Sequence, residues 1–133
     1  MKKSLGRHVM NVKSVKAKGR KLQNFVRDIL RELYPQLDMD DIKSQTMGMT
    51  GEDIVLSPAA RKLIPYSFEC KNVERLQMWD AIDQCETNAG ERTPVVVFKK
   101  NKRAPYVAIP LVAFCNMLEN RGKKDDEKDN QEG

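Results

Sequence analysis

Two short runs, Gly51-Glu52-Asp53-Ile54-Val55-Leu56 and Tyr66-Ser67-Phe68-Glu69-Cys70-Lys71, constrain this chain more than any other feature. Both read as strands, adjacent in one sheet. Side chains alternate faces along a strand, so Glu69 and Lys71 share a face while Phe68 and Cys70 turn into the core. With the first strand alongside, Asp53 converges on Glu69 and Lys71. Two carboxylates and an ammonium gathered on an apolar scaffold suit a divalent cation and a positioned water or phosphate.

The acidic-x-Lys triplet alone carries little information, and the chain supplies its own control by repeating it. Asp41-Ile42-Lys43 follows an acidic turn, and Asp126-Glu127-Lys128 sits in a charged tail. Only Glu69-Cys70-Lys71 closes an apolar run (Leu63, Ile64, Tyr66, Phe68) with a second acid-bearing strand just upstream. Context singles it out.

A chain of 133 residues suits one domain with a core of its own. No run reaches the length of a membrane span, and no apolar N-terminal segment resembles a secretory signal. Cys70, Cys85 and Cys115 are expected as buried, reduced thiols in a cytoplasmic protein. His8 is the one histidine and no Cys-x-x-Cys pair occurs, which argues against zinc. The net charge of +5 is unevenly spread. Residues 1–31 hold ten lysines and arginines against Asp28 alone, a balance of +9, while 32–118 and 119–133 each carry −2. Such an asymmetric basic segment suits a phosphate backbone, and Lys16, Lys18, Arg20 and Lys21 are the candidate contacts.

Along the chain, residues 1–16 are expected as a flexible basic arm, 17–120 as a single domain and 121–133 as a disordered charged tail. A helix is expected from Ala17 to Pro35, with Leu22, Phe25, Val26, Ile29, Leu30 and Leu33 as one inward stripe. A short strand at 42–46 precedes the loop Met47-Gly48-Met49-Thr50-Gly51. That loop lacks the spacing of a nucleotide-binding loop, so no nucleotide cofactor is expected. Ser57-Pro58 reads as a helix N-cap followed by one helical turn. A second long helix opens at Asn72 or Val73, turns Leu76, Trp79, Ile82 and Cys85 inward, and closes at Ala89-Gly90. Thr93 to Lys100 and Tyr106 to Ile109 form a hairpin about Asn101-Lys102-Arg103, and a last helix runs from Leu111 to Glu119. The expected fold is α/β: a central mixed five-stranded sheet flanked by helices, in the order αβββαββα.

This order, with Gly51-Glu52-Asp53 on one strand and Glu69-Cys70-Lys71 on the next, resembles the restriction-endonuclease-like nucleases. Within them the chain looks like the archaeal-type and bacteriophage-encoded Holliday junction resolvases. Gly19-Arg20, Ser44 and Gln84 also carry the resemblance, which spans residues 17–118. It implies that Asp53, Glu69 and the backbone carbonyl of Cys70 bind Mg²⁺, for which Mn²⁺ can substitute. It further implies that Lys71 lies beside the attacking water, with Gln84 assisting. Ser44 joins the DNA-contacting set, and the active form is a homodimer on branched DNA, in the host cytoplasm if a bacteriophage encodes the chain. The sequence departs from the pattern at Glu52, where a proline is common, and at Gln23, where resolvases place a glutamate. Glu52 is expected either to join the metal or to face water. Alternatives are a nicking, flap or non-specific nuclease, a non-catalytic basic DNA-binding module, or an interaction protein dimerising through its helices.

Overall fold

The computed structural model describes residues 2–132, with side chains over 13–122. In chain order the elements are α1 (Lys2–Leu33), a 3-10 turn (Met39–Asp41), β1 (Ile42–Ser44), β2 (Ile54–Leu56), α2 (Pro58–Leu63), β3 (Tyr66–Asn72), α3 (Met78–Ala89), β4 (Thr93–Lys99), β5 (Tyr106–Ala108) and α4 (Leu111–Glu132). The fold is mixed α/β and the expected element order holds, but the strands form two sheets. β1 and β2 pair antiparallel, while β3, β4 and β5 form a second sheet with β3 and β4 parallel and β5 antiparallel at its edge.

The expected single five-stranded sheet is therefore interrupted between β2 and β3, and Asp53 explains why. Its backbone N–H donates to the Phe68 carbonyl at 3.1 Å, which starts a ladder. The next donor on β3, the Cys70 amide, is taken by the Asp53 side chain (Oδ2, 2.7 Å) rather than by a backbone carbonyl. A carboxylate stands where a ladder partner belongs, and the pairing stops there.

Helices cover both faces of the larger sheet. Leu22, Val26 and Leu30 of α1 pack over Phe68, Cys70, Val95 and Val97, with Ile42, Ile54 and Leu56 closing the same core. On the opposite face Ala81 and Cys85 of α3 meet Val96, flanked by Leu76, Met78, Ile82 and Phe98. Ser57 caps α2, its Oγ accepting from the Ala60 amide at 3.1 Å and donating to Asp41 at 2.7 Å. Gly51 takes φ of +107° before β2, a conformation that side chains with a Cβ resist.

Several expectations are corrected. Helix α1 begins at Lys2, not Ala17, and α4 runs through the expected disordered tail to Glu132. Neither extension contains a proline, and each has a single interior glycine, Gly6 or Gly122, so propensity permits both. Met1 and Gly133, and the side chains of 1–12 and 123–133, lie outside the described residues. Only the 22, 26, 30 row of the α1 stripe is buried. Phe25, Ile29 and Leu33, one residue short of a turn away, are 53%, 38% and 66% exposed. Helix α3 opens at Met78 because β3 continues to Asn72, whose buried side chain donates to the Lys18 carbonyl at 3.2 Å. Trp79 turns outward at 76% exposure, since α3 packs through the small residues Ala81, Cys85 and Ala89. Cys115 is exposed, unlike Cys70 and Cys85, and all three thiols are free.

Candidate active site

The site lies on the β3 edge that faces β2. Strand alternation puts Glu69 and Lys71 on one face, and Glu69 is only 3% exposed. A solvent-facing surface pair is thereby excluded for it. Lys71 Nζ stands 3.5 Å from Glu69 Oε1 and donates to Gln84 Oε1 of α3 at 3.3 Å. The ammonium is thus held between the acid and a neutral amide. Asp53, at the mouth of β2, is fixed by the Cys70 amide and lies close enough to Glu69 for their carboxyls to interact directly.

Crowding two carboxyls in a desolvated place disfavours their charged forms. Burial, chiefly, and then the neighbouring Asp53 push the Glu69 carboxyl up to about 7, against a smaller downward pull from Lys71. Burial also raises Asp53, opposed by the Cys70 amide, the Gln23 side chain and Lys71. The folded chain therefore keeps protons that the unfolded chain releases, and the metal-free protein is expected to lose stability as pH rises from 4.5 to about 7. The loss should be on the order of 2–3 kcal/mol. Denaturant titrations in EDTA across that range measure it. Glu69→Gln should flatten the profile, and a profile equally steep in that variant would refute the assignment.

Gln23, which stands where resolvases place a glutamate and for which the sequence leaves open whether it joins the metal, is 7% exposed and lies beside Asp53. Its Oε1 and the Oε2 of Glu69 are buried without a hydrogen-bond partner among the described residues. Buried acceptors left bare are costly, and Gln23 and Glu69 each lie beside Asp53, an arrangement that suits a hard cation taking oxygen ligands. The Cys70 carbonyl points to the same strand edge as its amide, toward Asp53. No group of three or more His, Cys, Asp and Glu side chains forms a metal cluster among the described residues. The donor set that fits is mixed: two acids, one amide oxygen and one backbone carbonyl. The sequence signal for Gln23 was a polar residue set among the buried positions Leu22 and Val26.

Glu52 neither joins the site nor faces water. It is buried and bound by Arg92 at 2.8 Å, Arg61 at 3.1 Å and the Ser67 hydroxyl at 2.9 Å. Glu52 is committed to this network at Ser67, while Asp53 meets Glu69 two residues further along the same face of β3. Ser44 is not brought to the acids. Its hydroxyl donates to Asn24 of α1 at 2.8 Å, and the backbone amide of Gln45, just past β1, donates to the Asp53 carbonyl at 2.7 Å. Lys16, Arg20 and Lys21 are exposed on α1, with Lys18 half-buried, and the same helix delivers Gln23 to the site. No protein-family model, curated protein or solved structure matches the chain.

Proposed function

We propose that this chain is a Mg²⁺-dependent, structure-specific DNA endonuclease of the restriction-endonuclease-like type, resolving four-way junctions or other branched DNA. One observation carries the reading: Asp53, Glu69 and Lys71 converge at one strand edge, with buried oxygens of Glu69 and Gln23 that lack partners. The element order and the parallel β3–β4 pair support the fold type.

Asp53, Glu69, the Cys70 carbonyl and Gln23 Oε1 would hold Mg²⁺, or Mn²⁺ in its place. The cation, when bound, supplies neutralisation of phosphate charge and a more acidic water. The chain's own residues do the rest. Lys71, pinned by Glu69 and Gln84, presents an ammonium to the attacking water or to the charge building on the phosphate. Lys16, Lys18, Arg20 and Lys21 hold the DNA backbone along α1, while Asn72, bonded to the Lys18 carbonyl, ties that helix to the catalytic strand. The uncovered row Phe25, Ile29 and Leu33 supports pairing with a second copy, so that two sites can act on a symmetric junction. The chain is proposed to act in the cytoplasm. No helix among the described residues is long and apolar enough to cross a membrane.

The test is cleavage of a four-way junction, a flap, a single strand and a plain duplex, with and without Mg²⁺. The junction should be cut fastest and only with the cation. Fastest cutting of the flap would move the assignment to a flap or nicking enzyme. Salt-sensitive binding without cleavage in Mg²⁺ would reduce the protein to a DNA-binding module.

A further inference from the structure

Beyond the acids lies a pocket of about 350 Å³ under the β4–β5 hairpin, whose chemistry the catalytic residues leave unused. Its floor is apolar, formed by Val73, Leu76 and Met78 with Phe98. Lys99, Lys100 and Arg103 line it together with one acid, Glu74, and no described acid forms an ion pair with any of the three cations. The hairpin tip is tied over it by the Asn101 amide, which donates to Glu74 at 3.0 Å.

Register connects this pocket to the catalytic lysine. Lys71 pairs with Phe98, and Phe98 pairs with Tyr106, so the three side chains form one row across β3, β4 and β5 on a single face. Strand spacing places Tyr106 about 10 Å from Lys71. Phe98 and Tyr106 stack, with centroids 6.3 Å apart and an interplanar angle of 29°, and Tyr106 remains 59% exposed. Val73 lies two residues beyond Lys71, about 7 Å along an extended chain. The pocket also sits at the carboxyl ends of a parallel strand pair, where open α/β sheets commonly bind ligands.

We propose that this pocket takes the base of an unpaired DNA nucleotide, stacked on Tyr106 and Phe98, with its phosphates on Lys99, Lys100 and Arg103. Planar apolar surface next to unpaired cations matches a nucleotide in both respects: every base has a face to stack, and each linkage has a charge to neutralise. A base within a duplex is already stacked and has no need of the pocket. A strand leaving a branch point does. The proposal rests on the nuclease reading and sharpens it, because it makes an unpaired nucleotide beside the cut part of what the enzyme recognises.

The experiment measures binding of the full chain, in EDTA at low salt, to three DNAs: a blunt duplex, the same duplex with a single-stranded flap, and that flap with its first unpaired nucleotide made abasic. Cleavage of the same DNAs in Mg²⁺ is followed separately. The flap should bind roughly tenfold more tightly than the blunt duplex, and the abasic change should remove that advantage. Tyr106→Ala should remove it too, leave duplex binding unchanged, and make the abasic change cost nothing further, whereas Tyr106→Phe should keep it. Arg103→Ala should weaken flap binding with a shallower salt dependence. Equal affinity of the wild-type chain for intact and abasic flaps overturns the pocket, and that comparison decides even if Tyr106→Ala fails to fold. Mg²⁺-dependent cleavage of the same DNAs would then show the nuclease reading surviving alone. Binding of no DNA, with no cleavage, removes both.

Discussion

The Asp53→Asn protein is expected to cut DNA roughly two to three orders of magnitude more slowly than wild type while folding normally. Asparagine keeps an oxygen in the place of Oδ2, so the Cys70 amide retains its acceptor and the junction between the sheets persists. It loses the charge that a cation needs, and with it the repulsion that helps to raise Glu69. Activity should therefore fall while metal-free stability near pH 7 rises. Single-turnover cleavage and denaturant titration on the same preparation measure the two changes. Cleavage at the wild-type rate would remove Asp53 from the chemistry.

Its sequence neighbour should behave in the opposite way. Glu52→Ala is expected to cost about 3–5 kcal/mol, because it strands Arg92 and the Ser67 hydroxyl in the interior without their shared acceptor. Arg61, more exposed, contributes less. Urea denaturation reads the loss directly, and cleavage per folded molecule at low temperature should stay close to wild type. Unchanged stability together with lost cleavage would show that Glu52 serves the metal after all.

Much of the candidate site was legible because it depends on local periodicity. Alternation along β3 alone fixes Glu69 and Lys71 on one face, and Gln84 falls within reach through the ordinary spacing of α3. Glu52 and Gln23 were not legible in the same way. The partners of Glu52 come from α2, from the start of β3 and from the turn before β4, and no short-range rule brings Arg61, Ser67 and Arg92 together. Trp79 was misplaced because its spacing from Leu76 and Ile82 pointed inward, whereas α3 lies against the sheet through its small residues Ala81, Cys85 and Ala89. The split of the sheet was hidden for a related reason. Propensity marks where strands form, but a side chain taking over a backbone partner is visible only in three dimensions.

That substitution of carboxylate for carbonyl has a practical consequence for mutagenesis. Alanine at position 53 would abolish catalysis, but it would also bare the Cys70 amide on the rim of a three-stranded sheet, where another molecule's strand could add. An inactive and aggregating Asp53→Ala preparation would thus reveal nothing about chemistry. One side chain both closes the seam of the fold and belongs to the proposed reactive centre, so the two duties separate only under replacements that preserve its shape.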